Sequence, residues 1–222
     1  MTPQPGRRPG GQQIVPRPTS WSLGPEAPWS AGAVPSMGEV LTAVPEHDQP
    51  LLPAFPDARA SAVLIALADG PQGPEVLLTR RSWELRHHRG EVSFPGGRLD
   101  PGETAVDAAL REAHEEVGLD PSHVSVHGEL EHLNTVVSHS YIVPKVATVP
   151  EPLPLRGETM EVDRVMWVPL AEFTRPDTYR SEVWEIGATD RVLHFFELDD
   201  ETVWGATAHM LVDLLQRTLP NA

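Results

Sequence analysis

The sequence predicts an α+β fold, because strand-like and helix-like segments follow one another without regular alternation. Ser61–Leu67 and Glu75–Thr79 are aliphatic runs separated by glycine and proline, which predicts a hairpin. Thr104–Val117 has helical periodicity and ends at Gly118, the residue type preferred at a helix C-cap. A second helical pattern, Glu201–Arg217, closes the chain. Strands and helices of this kind predict a sheet covered by helices.

The remaining elements of the domain are predicted strands. They are Val124–Leu130, Thr135–Val149, Arg164–Val168 and Arg191–Leu198, the last of which follows a turn at Gly187. The C-terminal helix has an apolar stripe that should face the core, formed by Trp204, Ala208, Leu211 and Leu215.

The N-terminal part of the chain differs from the rest in composition. Half of the 24 prolines lie in residues 1–60, and the first twenty residues lack periodicity, which predicts a disordered tail. Residues 21–57 contain Trp21, Trp29 and several aliphatic side chains, with a short helix expected near Ser36–Val44. This segment either packs on the domain or a partner subunit or has no docked position. We therefore divide the chain into a proline-rich extension, residues 1–57, and a domain, residues 58–222.

Composition narrows the class of function. The net charge of −15 argues against non-specific nucleic-acid binding, which needs a basic surface. The chain has no cysteine, which excludes disulfides and thiolate sites and fits a cytoplasmic protein. No apolar run is long enough to span a membrane, and no signal-peptide pattern is present, so no membrane association is expected.

Closely spaced glutamates are the main chemical feature of the chain. Glu112 and Glu116 lie one helical turn apart, about 40° from each other around the axis, and Glu115 lies about 60° beyond Glu112. The opposite face is apolar and consists of Val106, Leu110, Ala113 and Val117, with Ala109 at its margin. Acidic side chains at these spacings repel one another unless a cation compensates them. A solvated acidic face is the alternative interpretation.

The residues around the glutamates favour a metal site over a solvated face. Gly96 and Gly97 allow close backbone approach and offer a carbonyl oxygen as a ligand. Arg111 can orient a carboxylate by bidentate hydrogen bonding. Oxygen ligands without cysteine indicate Mg2+ or Mn2+, and such ions can bridge a protein carboxylate to a diphosphate.

Gly97–Leu119 resembles the signature of the Nudix hydrolases, G-x5-E-x7-R-E-U-x-E-E-x-G-U with U aliphatic. Every glycine and charged position matches, and only Ala113 is smaller than the usual aliphatic residue. The resemblance implies a Nudix fold, with a mixed sheet sandwiched between helices, and metal-dependent hydrolysis of a nucleoside diphosphate derivative.

The resemblance also implies roles for individual residues. Glu112 and Glu116 would be the principal metal ligands, Glu115 a further ligand or the base, and Gly97 a backbone ligand. Glu103 would orient Arg111 or bind metal through water. The catalytic set implied is therefore Glu115, Glu116 and Arg111. Glu161 and Glu158 are candidates for a supplementary base, on position alone.

The segment before this signature is rich in arginine and indicates a substrate with an additional phosphate. Leu77–Gly97 is also similar to the motif of the coenzyme A pyrophosphatase branch of the Nudix family, L-L-T-x-R-S/A-x3-R-x3-G-x3-F-P-G-G, at every specified position. The implied products are a 4′-phosphopantetheine compound and adenosine 3′,5′-bisphosphate. Arg81, Arg86 and Ser82 would bind the substrate, with the 3′-phosphate as a target for the arginines; support of the fold is the alternative.

Other interpretations stay open. The substrate could be ADP-ribose, NADH or a nucleoside triphosphate, or the chain could be a Nudix-fold module that binds nucleotide without turnover. The sequence is compatible with a monomer or a homodimer. His87, His88, His132 and His139 are further base candidates, although metal-activated water needs no histidine. Trp83, Trp167 and Trp184 are expected in the core rather than stacked on adenine.

Overall fold

The structure, a computed structural model, describes residues 7–46, 49–55, 57–135, 139–187 and 189–220. The strands are β1 Trp21–Leu23, β2 Arg59–Gly70, β3 Gly73–Arg81, β4 Val92–Ser93, β5 Gly96–Arg98, β6 Ser125–Glu129, β7 Leu133–Thr135, β8 Ser140–Thr148, β9 Val162–Pro169, β10 Tyr179–Ile186, β11 Thr189–Glu197 and β12 Thr202–Trp204. The α-helices are α1 Met37–Ala43, α2 Ala105–Val117, α3 Leu170–Phe173 and α4 Gly205–Thr218. None of the helices in these ranges is long and apolar enough to cross a membrane.

The larger sheet is mixed and has β2 near its centre. Its order is β4-β3-β2-β8-β6, with β5 paired to β2, β7 to β8 and β9 to β3. β2 and β3 form the predicted antiparallel hairpin, which turns between Gly70 and Gly73. β2 runs parallel to β8, and a parallel pair needs a long crossover, which here includes α2.

Helices cover both faces of the larger sheet. On one face, Ala62 and Leu64 of β2 belong to the same buried cluster as Ala109 and Ala113 of α2. On the other face, the next side chains along β2 pack in a cluster with α4, α1 and the smaller sheet. The alternation of side chains along one strand thus supplies two cores. The predicted α+β class, with a mixed sheet between helices, is confirmed.

The predicted helix at Thr104–Val117 is confirmed, and local residues determine both of its ends. Thr104 is the N-cap, and Asp107 completes a capping box with it. At the other end, Gly118 has a φ of 72°, and its N–H donates to carbonyls of the last turn. The Gly97–Leu119 signature therefore contains its own helix boundaries.

The buried face of α2 differs from the one predicted. Ala108, Ala109, Ala113 and Val117 are buried, whereas Val106 and Leu110 are only partly buried. Small side chains let the helix lie close to the sheet, so the core-facing stripe is centred on alanines instead of the larger aliphatic residues.

The smaller sheet accounts for most of the errors in the predicted elements. It is antiparallel, with the order β1-β10-β11-β12, and β10 was not predicted from the sequence. The C-terminal helix begins at Gly205, not Glu201, because Thr202–Trp204 pairs with β11 and Gly205 has a φ of 65°. Trp204 is consequently a strand residue. Ala208, Leu211 and Leu215 are buried as expected.

One predicted strand is divided. The segment Thr135–Val149 contains the last residue of β7 and all of β8, and these two strands pair antiparallel with each other. Residues 136–138 between them lie outside the described ranges. The predicted strands around β6, β9 and β11 are present with shifted ends.

The N-terminal extension lies along the domain where it is described. Residues 7–20, expected to be disordered, instead form hydrogen bonds with the smaller sheet and with the turn between β11 and β12, where the Gly10 N–H donates to the Leu198 carbonyl at 2.9 Å. The expected short helix is α1, capped by Ser36 and Glu39, and Trp29 is buried in the main core. Residues 1–6 lie outside the described ranges. The division of the chain at residue 57 stays a prediction.

The half-buried position of His194 on β11, next to His209 of α4, leads to a prediction about acid stability. The Tyr179 hydroxyl lies 2.8 Å from His194 Nδ1, and the His209 ring is 5.9 Å away. Burial lowers the pKa of His194 to about 4, and His209 acts in the same direction. An unfolded histidine titrates near pH 6.5, so below that pH the unfolded chain binds a proton that the folded chain does not. The protonation of His194 therefore leaves the free energy of unfolding unchanged above about pH 6.5 and lowers it as the pH falls from 6.5 toward 4.

We therefore expect His194→Gln to lose less stability than the wild type between about pH 7 and pH 4.5. Urea midpoints at several pH values measure this, and the exposed His87→Gln is the control, which should follow the wild type. Parallel pH profiles for His194→Gln and the wild type would contradict the expectation.

Candidate active site

The backbone of Gly97 and the carboxylate of Glu112 lie side by side. β5 pairs with β2, Gly97 opposite Ala62, and this pairing holds the glycine backbone against the sheet below α2. A Cβ atom placed on Gly97 would lie 2.3 Å from Glu112 Oε1 and 2.4 Å from its Cδ. A side chain at this position would therefore displace the carboxylate, so the glycine leaves the space that Glu112 occupies.

Glu116 is a buried carboxylate, with only 8% of the residue exposed. The Gly96 N–H donates to its Oε2 at 3.2 Å, and Arg81 Nη1 lies 4.0 Å from its Oε1. Burial is the main cause that raises the pKa of Glu116 to about 7. The Gly96 N–H and Arg81 oppose this rise, whereas the nearby carboxylates of Glu112 and Glu161 add to it. The site thus contains more negative charge than its own cations balance.

Arg111 organises the other carboxylates of the cluster. It forms a bidentate pair with Glu103, at 2.7 Å from Nε and 3.0 Å from Nη2. Its Nη1 donates to Glu112 at 3.0 Å and to Glu115 at 3.2 Å. The hydrogen bonds from Arg111, followed by that from the Asp100 N–H, lower the pKa of Glu103 to about 2. Glu103 therefore serves to fix the guanidinium, and Glu115 is the most exposed carboxylate of this set.

These donors fit a divalent cation. The set consists of carboxylate oxygens with the carbonyl of Gly97, which are ligands preferred by Mg2+ and Mn2+. Within the described ranges, no three acidic or histidine side chains converge on one point. The contacts explain this arrangement, since Arg111 holds Glu112 and Glu115 while Glu116 faces Gly96. A bound cation would have to compete with Arg111 for Glu112.

The two supplementary carboxylates lie in different surroundings. Glu161 accepts a hydrogen bond from Arg81 Nη2 at 3.1 Å, so Arg81 lies between Glu161 and Glu116. Glu158 pairs with Arg156 at 2.9 Å, and its side chain lies next to Gly118 at the C-terminal end of α2. Glu161 thus joins the cluster through Arg81, whereas the Glu158 carboxylate is paired with Arg156 and its backbone N–H donates to the Glu116 carbonyl at 2.9 Å.

The arginine-rich segment forms a loop that begins at the cluster. Arg81 is the last residue of β3 and contacts both Glu116 and Glu161. Ser82 follows it and is buried, and its hydroxyl accepts from the Glu84 N–H at 3.3 Å, inside the loop. Arg86 is exposed and has no hydrogen bond or ion pair with any described residue. Ser82 thus shapes the loop, while Arg86 projects from it.

Most of the histidines and tryptophans considered as bases or as stacking residues contact other side chains or the backbone of the fold. His132 lies between Glu129 and Tyr141, at 3.0 Å and 2.6 Å. The indole N–H of Trp167 donates to the Leu153 carbonyl, and that of Trp184 to a buried carboxylate, so both are packed in the fold. His88 contacts Glu91, and His139 contacts Asp57. Trp83 packs on Gly90, and His87 is exposed.

Sequence reasoning missed the buried group next to the arginine loop. Glu201 is 1% exposed and accepts hydrogen bonds from Arg80 at 2.8 Å and Arg164 at 2.9 Å. Gln13 of the N-terminal extension contacts the same carboxylate. In the sequence Glu201 follows Asp199 and Asp200, so it resembles one more residue of a solvated acidic turn, and nothing marked its distant partners.

Comparison with known proteins agrees with this architecture. The NUDIX domain family matches residues 58–189. The chain is 41% identical over 159 residues to the Uncharacterized Nudix hydrolase NudL of Escherichia coli O6:H1 (strain CFT073), covering 70% of this chain and 81% of that protein. The NudL protein of Escherichia coli K12 is 40% identical with the same coverage.

A solved structure supports the fold alone. The MutT/nudix family protein from Enterococcus faecalis superposes with a TM-score of 0.51 at 18% identity, covering 82% of this chain and 69% of that chain. The family match and the NudL relatives both include the glutamate helix and the loop before it. The chain therefore belongs to the Nudix family and is a Nudix hydrolase.

Proposed function

We propose that this Nudix hydrolase cleaves the diphosphate bond of coenzyme A or one of its acylated or oxidised derivatives. The observation that carries the proposal is the position of Arg81, which lies between the carboxylates of Glu116 and Glu161 and begins the loop that presents Arg86. A cationic loop that opens from a carboxylate cluster can bind a substrate with one phosphate group beyond its diphosphate.

In this proposal a divalent cation, Mg2+ or Mn2+, is held by Glu112, Glu116, Glu115 and the carbonyl of Gly97. When bound, it supplies a polarised diphosphate and water of lowered pKa. Arg111 keeps Glu112 and Glu115 oriented while Glu103 holds the guanidinium. The chain thus holds these carboxylates close to one another, and a bound cation would have to draw Glu112 from Arg111.

Water attacks one phosphorus atom and the bridging oxygen leaves with the second phosphate. The reaction consumes one water and yields a 4′-phosphopantetheine compound and adenosine 3′,5′-bisphosphate. Glu161 is the best-placed supplementary base, because it lies across Arg81 from Glu116. Glu115 is the alternative base, and Glu158 is less suited because it faces Arg156.

Recognition of the 3′-phosphate is assigned to Arg86 and Arg81. Arg86 is exposed and uncommitted within the described ranges, so no ion pair has to break before it binds a phosphate. Arg81 already contacts two carboxylates and would contact phosphate oxygens nearer the cluster.

Cleavage of ADP-ribose, NADH or a nucleoside triphosphate is the second candidate, since the carboxylate cluster itself does not distinguish among diphosphates. A cytoplasmic location and a homodimer stay predictions.

Glu116→Gln should abolish turnover of coenzyme A and leave the fold intact. The amide keeps the shape and the contact with the Gly96 N–H but removes a charged metal ligand. Mutation of a residue that only hydrogen-bonds to a metal ligand lowers metal affinity or activity about 10- to 100-fold. Loss of a ligand itself should therefore lower kcat at least about 100-fold. Steady-state rates with thermal unfolding measure both effects. The exposed Glu185→Gln on β10 is the control, and wild-type rates in Glu116→Gln would refute the metal assignment.

Gly97→Ala should weaken metal binding without unfolding the protein. The new methyl group would lie 2.3 Å from Glu112 Oε1, so the carboxylate must move from its present position. We expect the Kd for Mn2+ to rise about tenfold or more, on the scale of losing one oriented ligand partner. Titration of Mn2+ followed by electron paramagnetic resonance measures it. Gly38→Ala, where an added methyl group meets nothing within 4 Å, is the control; an unchanged Mn2+ affinity in Gly97→Ala would remove Glu112 from the ligand set.

Arg86→Ala should raise the KM for coenzyme A about tenfold or more and change the KM for 3′-dephospho-coenzyme A little, because a charge-assisted hydrogen bond to phosphate is lost. Arg89→Ala is the matched control, an exposed arginine of the same loop outside the motif.

Identification of adenosine 3′,5′-bisphosphate by mass spectrometry tests which bond is cleaved. A higher kcat/KM for ADP-ribose or NADH than for coenzyme A would favour the second candidate.

A further inference from the structure

The N-terminal extension reaches the end of the arginine loop through one buried glutamine. Gln13 is 9% exposed, although its neighbour Gln12 is exposed. Its Nε2 donates to the Gly90 carbonyl at 3.0 Å, and its Oε1 accepts from the Thr202 N–H at 2.8 Å. The side-chain amide thus joins the loop to the smaller sheet, with donor and acceptor both used.

Gly90 is the point at which the loop returns to the sheet. Its N–H donates to the Arg81 carbonyl at 3.1 Å, so the glycine is bonded to the residue that contacts Glu116. The Trp83 ring covers Gly90 so closely that a Cβ atom would lie 2.4 Å from it. Gln13 approaches the carbonyl of the same residue. The loop end is therefore held by β3, by an aromatic ring and by the extension.

A buried carboxylate links this contact to the strand that carries Arg81. Gln13 Nε2 also donates to Glu201, which binds Arg80 at 2.8 Å. Because Arg80 precedes Arg81 in β3, both ends of the loop are tied to groups that Gln13 contacts. The extension itself is seated by Gly11, whose N–H donates to the Thr202 hydroxyl at 2.9 Å.

We infer that Gln13 is a positioning residue for the substrate loop, residues 82–90, and thereby makes the N-terminal extension part of substrate recognition. The inference rests on the proposed function for the identity of the substrate. Loss of the amide leaves the Gly90 carbonyl buried without this donor, so the loop shifts or opens to find another partner. Arg86 then no longer lies at a constant distance from the carboxylate cluster.

The test compares Gln13→Ala and Gln13→Met with Gln12→Ala in the full chain. Met fills the volume of Gln without its hydrogen bonds, and Gln12→Ala makes the same deletion on the exposed neighbour. We expect both Gln13 variants to raise the KM for coenzyme A about tenfold, the scale of one hydrogen bond to a buried partner. The KM for 3′-dephospho-coenzyme A should change little, so discrimination between the two substrates falls about tenfold. Gln12→Ala should match the wild type.

A purely structural role would give a different result. Fewer folded molecules lower the apparent kcat for both substrates equally and leave their KM values and the discrimination unchanged. Unchanged discrimination in both Gln13 variants, or wild-type discrimination in Gln13→Met, would overturn the inference.

Hydrogen exchange of the loop amides decides the question independently of substrate. We expect faster exchange across residues 83–90 in Gln13→Ala and unchanged exchange in α2. If the wild type shows no preference for the 3′-phosphate, the proposed substrate is wrong. The hydrogen-exchange result alone then decides whether Gln13 positions the loop. Unaltered exchange in the loop would then reject the positioning role.

Discussion

The close approach of the Gly96–Gly97 backbone to β2 is the constraint on which the site depends. A Cβ atom on Gly96 would lie 2.4 Å from the Ala62 carbonyl oxygen of β2, and one on Gly97 would meet the Glu112 carboxylate. The neighbouring Gly96 N–H binds Glu116, one helical turn farther along α2. One short strand therefore positions both principal carboxylates, because α2 packs on the same sheet through small side chains.

Two arginines divide the negative charge of the site between them. Arg111 binds Glu103 in a bidentate pair and holds Glu112 and Glu115, and all of these residues lie within one short stretch of sequence. Arg81 comes from β3 and faces Glu116 together with a carboxylate of the later loop. The first arginine orients carboxylates within the helix, and the second joins the helix to the arginine-rich loop. Repulsion among the carboxylates is what a divalent cation would relieve.

The N-terminal extension is integrated into the fold where it is described. Its backbone bonds to the turn that precedes β12, and Gln13 connects the arginine loop to Glu201. A charge buried as completely as Glu201 needs several donors, and these come from three distant parts of the chain. The arginine-rich loop, the smaller sheet and the extension are thus coupled through one carboxylate.

The sequence by itself determined what depends on near neighbours. Thr104 and Gly118 predicted the ends of α2, the helical spacing put Glu112 and Glu116 on one side, and the two overlapping motifs indicated the family. Secondary structure predicted from the sequence was wrong where long-range strand pairing competes with local helix preference, since β12 replaces the first turn expected for α4. Only the tertiary structure decided that Glu161 faces the cluster and that Gln13 reaches Gly90, 77 residues away. Hydrogen bonds of that separation leave no periodic pattern in a sequence, because they are set by how the sheets pack and not by the residues beside them.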